Sequence, residues 1–228
     1  MNTKIHLIKL ISQSTATAQT YFQYLSADER QRAAKFATPL LQERFTLTRG
    51  WLRQTLANQL NAQPKDLIFT YAKQGKPALK NHPSLAFNLA HSGDYAVIAI
   101  TENDPIGIDI EKEDRMQDCV AIAKRFFTST EYKAILASQQ PEILFCHIWT
   151  QKEAFLKATG KGLSFGLDQF EVSTNLSTTQ VYNIQNLKLA KENWQSQSLT
   201  IVPGYRIVVT KLNSLGIIDF IQDHITTQ

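Results

Sequence analysis

Residues 105–115 read PIGIDIEKEDR, and their alternation constrains the fold more than any other stretch of the chain. In an extended strand successive side chains point to opposite faces, so Ile106, Ile108 and Ile110 share one face while Gly107, Asp109 and Glu111 share the other. The isoleucine face needs an apolar surface to cover it. The opposite face carries two carboxylates about 7 Å apart, close enough to reach one divalent cation. Partly buried and uncompensated, such a pair is costly. Taken alone, the stretch also fits a surface strand with a solvated acidic face.

The rest of the chain reads as two α+β halves. Its 228 residues are 43% hydrophobic, enough to fill one large core or two smaller ones. In the first half a short apolar strand is expected over 4–11. Ser26 and Glu29 have capping-box spacing ahead of a charged helix, and 39–60 is a second helix. Arg44, Arg49 and Arg53 are too dispersed around that helix to form one stripe, so at least one is expected to be solvated. Strands follow at 67–71, 85–89 and 95–101, with turns at KQGKPAL and at His91-Ser92-Gly93-Asp94. In the second half, helices are expected at 120–127, at 128–136 with a cap at Ser129 or Thr130, and at 142–159, ended by Gly160 and Gly162. Strands are expected at 170–173, 181–189, 198–202 and 205–212. GKPAL is echoed by GKGLSF, and SGDYAVIAI by PGYRIVVTKL. This weak repeat favours two related halves, 1–103 and 104–228, each with helices on a small, mainly antiparallel sheet. A cleft between halves is a usual place for a ligand.

Charge and cysteine content narrow the setting. Lys plus Arg number 24 against 20 Asp plus Glu, a formal excess of +4 that suits an anionic partner without naming it. Cys119 and Cys146 are too few for a disulfide framework and lack metal-ligand spacing, which suits core thiols in a reducing compartment. The N-terminal apolar run is broken by Lys9, has no small-residue cleavage site, and no stretch is long enough to span a bilayer. A soluble, cytoplasmic protein is expected.

A second carboxylate stretch supplies the chemistry. In IWTQKEAFLKATGKG, Glu153 and Lys157 lie four residues apart on one helix face, one turn after Trp149. Such pairs are by default surface ion pairs worth about 0.3–0.5 kcal/mol. Here Trp149, Ala154, Phe155, Leu156 and Ala158 surround them, which points to a partly buried groove. Brought to Asp109 and Glu111, they would form an all-oxygen Mg²⁺ site with a phosphate-binding cation beside it; lacking His and Cys, the set suits zinc poorly. His91 is either structural or a cleft residue. Lys73 and Lys76, on either side of Gly75, either cradle a phosphate or form a solvated hairpin tip.

Together, GKPAL at 75–79, FNLAHSGDYAVIA at 87–99, IGIDIEK at 106–112, RFFTSTEY at 125–132 and WTQKEAFLKATGKGL at 149–163 resemble the 4′-phosphopantetheinyl transferases of the surfactin-synthetase type. The resemblance implies a pseudo-twofold α+β fold with coenzyme A between the halves. It further implies transfer of 4′-phosphopantetheine from coenzyme A to a serine of an apo carrier protein of fatty-acid, polyketide or non-ribosomal-peptide type. Asp109, Glu111 and Glu153 match the family's Mg²⁺ ligands and Lys157 its phosphate-binding lysine; the base is Glu153 by resemblance, with Glu111 acting through a water as the alternative. His91 matches the 3′-phosphate contact, Gly75, Lys76 and Pro77 the adenine-side segment, and Arg32 and Arg44 the N-terminal basic positions. The family often has Ser where this chain has Ala90, so a diphosphate hydrogen bond is lost or supplied by Ser92 or a backbone N–H. A monomer with neither nucleic-acid nor membrane partner is expected. The alternatives are a Mg²⁺-dependent nuclease or phosphatase and a non-catalytic carrier-protein or nucleotide-binding module.

Overall fold

The computed structural model describes residues 2–10, 15–113 and 118–223. Asp114 and Arg115, at the end of the acidic stretch, and Ile11, at the end of the first expected strand, lie outside them. In chain order the elements are β1 (Thr3–Lys9), α1 (Thr15–Tyr24), α2 (Ala27–Ala33), α3 (Pro39–Leu60), β2 (Phe69–Tyr71), β3 (Pro77–Leu79), β4 (Leu85–Ser92), β5 (Tyr95–Glu102) and β6 (Ile106–Lys112). There follow α4 (Cys119–Phe126), α5 (Ser129–Ala137), α6 (Pro141–Thr159), β7 (Glu171–Val172), β8 (Val181–Tyr182), α7 (Leu187–Ala190), β9 (Trp194–Leu199), β10 (Tyr205–Leu212) and β11 (Ile218–Gln222).

The isoleucine face of β6 fixes the architecture. Ile106, Ile108 and Ile110 are fully buried and, with Ile207 and Val209 of β10, pack against Ile5 and Leu7 of β1 and Val97 and Ala99 of β5. Burying each isoleucine contributes about 1.5–3 kcal/mol. Two sheets therefore meet face to face, one ordered β11-β1-β5-β4 and the other β6-β10-β9. On the outer face of the first sheet, Phe87, Ala96, Ile98 and Ile100 pack with Leu47, Trp51, Leu52 and Leu56 of α3. The far face of the second sheet is covered by α6. The seam between the sheets is also tied by polar contacts, among them that of the Ile108 backbone N–H, which donates to Asn88 Oδ1 at 2.8 Å.

Local signals set the helices that matter for the cleft. Ser26 and Glu29 form the expected capping box of α2, and Thr38 caps α3, which has Pro39 at its first turn. Glu29 is buried and holds both Arg49 and Arg53 of α3. Arg49 and Arg53 share Glu29, while Arg44, with 36% of its side chain exposed and 3.6 Å from Asp94, is the solvated arginine that was expected. Pro141 opens α6 and Gly160, at φ 67°, ends it.

Several boundaries differ from the sequence expectation. Strand β4 runs through His91 and Ser92, so the turn to β5 is only Gly93-Asp94, with Gly93 at φ 54°. Helix α5 is capped by Thr128, which accepts from Glu131 N–H, because Glu131 completes a capping box with it. The 181–189 run is a two-residue strand and a short helix. Asn183 adopts a left-handed conformation that stops the strand, and Asn186 caps α7. Strand β9 lies at Trp194–Leu199 instead of 198–202, in register with β10 from Leu212 to Ile207. Strand β11, not anticipated, brings the C-terminal part of the chain back to the first sheet, parallel to β1.

The opposite face of β6 meets α6 at Gly107. A Cβ there would collide with the Ala154 carbonyl and the Ala158 amide, so only glycine lets the helix seat this closely. Gly107→Ala should therefore lower stability by about 1–3 kcal/mol or more, read as a lower urea midpoint with an unchanged slope. A midpoint equal to the parent's would contradict this seating.

Candidate active site

The close approach of α6 to β6 brings the two carboxylate stretches together. Asp109 is buried beneath α6, and Lys157 Nζ donates to its Oδ1 at 2.6 Å. The other oxygen, Oδ2, is buried with no hydrogen-bond partner, and so is Glu153 Oε1. Glu111, half-buried at the end of β6, accepts a hydrogen bond from Ser92 Oγ at 2.9 Å. The structure thus assembles Asp109, Glu111, Glu153 and Lys157 from one strand and one helix.

The electrostatics of this group are those of too many carboxylates around one ammonium. Burial, with repulsion from Asp109 and Glu111, pushes the Glu153 carboxyl up to about 7 against the pull of Lys157. Burial first, then Asp109, raises Glu111. Burial also raises Asp109, opposed by Lys157. Lys157 is disfavoured by burial, yet Asp109, Glu153 and Glu111 together hold its pKa above the usual lysine value. Among the described residues no group of three or more His, Cys, Asp or Glu side chains stands close enough together, as placed, to hold a metal ion; at Asp109 the counter-charge is the Lys157 ammonium. The two partnerless carboxylate oxygens and the mutual repulsion are the features that a hard divalent cation relieves. By donor chemistry, carboxylate oxygens with neither His nor Cys, the set suits a hard, oxygen-seeking cation.

Beside this group lies a cleft of about 880 Å³ whose lining includes Arg32, Arg44, Gly75, Pro77, His91, Ser92 and Glu111. Glu111 is thus shared between the cleft and the carboxylate group. Arg32 is exposed over the Phe45 ring. His91 is exposed to the cleft, whose walls, ahead of the charges of Lys157 and Arg44, hold its pKa below the ordinary histidine value. Gly75, at φ 81°, makes the β2–β3 turn.

Lys76 is placed differently from either sequence reading. Its ammonium donates to the carbonyls of Ile106, Lys157 and Ala158 at 2.9, 2.6 and 3.1 Å, and burial lowers its pKa to about 8. All three donors fasten the end of α6 to β6, so Lys76 neither forms a solvated hairpin tip nor offers a free ammonium to a phosphate. Ala90 is packed into the apolar core between the sheets, and the Ser92 hydroxyl proton is engaged by Glu111.

Four contributors escaped the sequence reading. Gly107 seats α6, Ser92 holds Glu111, Glu29 orders the arginines behind the cleft, and Tyr205 of β10 accepts the Asp94 N–H at 3.2 Å to brace the Gly93 turn. The period-two pattern carried a signal for Gly107 alone. The others depend on partners distant in sequence.

The raised Glu153 carboxyl has a consequence for stability. Between its usual pKa of 4.5 and about 7 the folded chain keeps a proton that the unfolded chain has lost, so this group's contribution falls as pH rises through that window and is flat above it. In chelator-treated protein, Glu153→Gln should raise the melting temperature by several degrees at pH 8 and leave it near the parent's at pH 4.5, since about 1 kcal/mol moves the midpoint by roughly 2–4 °C at this size. A difference independent of pH would contradict the assignment.

Comparison with known proteins identifies the family. Residues 105–210 match the 4′-phosphopantetheinyl transferase superfamily, and residues 12–103 match the family described as 4′-phosphopantetheinyl transferase, N-terminal. The 4′-phosphopantetheinyl transferase HetI of Nostoc sp. is 36% identical over 191 residues, covering 81% of this chain and 79% of the relative. The 4′-phosphopantetheinyl transferase psf-1 of Bacillus pumilus is 39% identical over 150 residues, 64% of this chain and 63% of the relative. The transferase Sfp of Bacillus subtilis is 35% identical over 156 residues, 68% of each chain. By both its halves and its relatives, the chain belongs to the 4′-phosphopantetheinyl transferase family.

Proposed function

We propose that this enzyme transfers the 4′-phosphopantetheine group of coenzyme A to a serine of an apo carrier protein, using Mg²⁺ and releasing adenosine 3′,5′-bisphosphate. The observation that carries the reading is the buried group of Asp109, Glu111, Glu153 and Lys157 at the side of a cleft lined by arginine and histidine. Asp109, Glu111 and Glu153 would hold the cation, which when bound neutralises diphosphate charge and makes the β-phosphorus more electrophilic.

The remaining chemistry belongs to the side chains. Coenzyme A lies in the cleft with its adenine edge near Gly75 and Pro77 and its 3′-phosphate toward His91, Arg44 and Arg32. An incoming phosphate would favour the charged form of His91, which the cleft otherwise disfavours. The carrier serine oxygen forms a bond to the β-phosphorus, and the bond from that phosphorus to the bridging oxygen breaks. Glu153 takes the serine proton. The electron pair leaves with adenosine 3′,5′-bisphosphate, whose developing charge faces the Lys157 ammonium. Lys76 acts indirectly, by holding the last turn of α6 and therefore Lys157 in place.

In this reading, residues 1–103 supply most of the cleft and 104–228 the reacting groups. The formal charge of +4 suits a carrier that is acidic around its serine. All named groups lie on one chain, consistent with a monomer. The two buried free thiols suit the cytoplasm. Among the described residues no helix is long and apolar enough to cross a membrane.

Incubation with coenzyme A, Mg²⁺ and apo carriers of fatty-acid, polyketide and peptide type should add one phosphopantetheine group to the intact mass of at least one carrier. Glu153→Gln should slow that transfer by about 10²-fold or more. No mass gain on any carrier would contradict the function, and transfer at the parent rate by Glu153→Gln would remove Glu153 from its role.

A further inference from the structure

We infer that Ser92 is a positioning residue for Glu111, directing one carboxylate oxygen of that side chain to the cation. Ser92 is the last residue of β4, and 94% of its surface is withdrawn from solvent, since its relative exposure is 6%. Its hydroxyl oxygen accepts the backbone N–H of Lys112 at 3.2 Å and its proton goes to Glu111 Oε2 at 2.9 Å. Because an N–H already donates to the oxygen, the hydroxyl's own hydrogen is committed to the carboxylate. Oε2 is thereby satisfied within the protein. The Trp149 side chain also hydrogen-bonds this carboxylate, so Ser92 and Trp149 together set its orientation toward the cation that Asp109 and Glu153 would share.

The strand end that carries Ser92 is itself fixed. Tyr205 Oη occupies the space where a Gly93 side chain would be, and the same oxygen accepts the Asp94 N–H. The Tyr205 ring packs edge-on against Tyr95, with centroids 5.1 Å apart. Leu10 N–H donates to the Asp94 carbonyl at 2.6 Å from the other side. A two-residue turn held from both sheets leaves little freedom at Ser92. The hydroxyl thus couples the cleft strand to the strand that carries the acids, and Glu111 is held in one orientation before a cation arrives. A carboxylate free to rotate would lose that freedom on binding, which weakens the site.

This inference rests on the carboxylate group binding a divalent cation, as proposed above. The probe is Mn²⁺, with free ion measured by electron paramagnetic resonance in the presence of saturating coenzyme A. Ser92→Ala should weaken Mn²⁺ binding about tenfold in the parent background, and by less than twofold when Glu111 is already alanine, because the hydroxyl then has no carboxylate to direct. Circular dichroism melting of each variant separates local from global effects. Parent-like Mn²⁺ binding by Ser92→Ala overturns the inference, and so does an equal loss in both backgrounds. Failure of the unaltered chain to bind Mn²⁺ overturns the cation site itself, and with it this inference; Mn²⁺ binding by the unaltered chain with no Ser92 effect overturns the inference alone.

Discussion

The structure depends on one ion pair, Lys157 Nζ to Asp109 Oδ1, formed where a helix is pressed against a strand with no side chain between them. One ammonium and three carboxylates in a partly dry place do not balance, and burial raises the pKa of all three acids. A buried pair of this kind is weak as a source of stability, because desolvating the charges offsets much of their attraction. Its retention makes sense as function. In the proposed function that imbalance is what a bound cation would relieve.

Much of the rest of the molecule serves to hold that imbalance in place. The isoleucines of β6 anchor the acid strand in the core between the sheets, and β10 pairs along its whole length, from Lys112 to Ile106. Lys76 reaches across from the other half to bind the last carbonyls of α6. Behind α6, the fully buried Lys152 pairs with Glu131 at 2.9 Å and also donates to the carbonyls of Leu167 and Phe170, fixing the helix on its outer side. Glu29 does the same for α3 through Arg49 and Arg53. Each network takes a charge out of water and satisfies it with several partners, an arrangement that favours a single geometry over raw stability.

What was legible in the sequence was whatever is decided locally. Helix α3 was expected with its bounds from apolar residues at helical spacing; in the structure Thr38 and Pro39 open it and Asn61, at φ 55°, closes it. The alternation in β6 correctly divided isoleucines from acids, and the four-residue spacing of Glu153 and Lys157 placed both on one face. Long-range partners were not legible. Strand β11 pairs with β1 more than 200 positions earlier in the chain. Lys76 looks like a hairpin residue until the helix end 81 positions later supplies its acceptors. His91 and Ser92 were assigned to a turn because Gly93 marks one, whereas β5 pairing carries the strand through Ser92. Ser92 looked like a replacement for a missing hydroxyl at Ala90, but its proton belongs to an acid on another strand.

The account stands or falls on where a divalent ion sits when the diphosphate is present. The direct measurement is an anomalous difference map from crystals grown with coenzyme A and Mn²⁺. We predict one strong peak bounded by carboxylate oxygens of Asp109 and Glu153, with Glu111 and the diphosphate completing the shell and the Lys157 ammonium nearby. Ordered coenzyme A with no peak there, or with the ion held elsewhere in the chain, would contradict it.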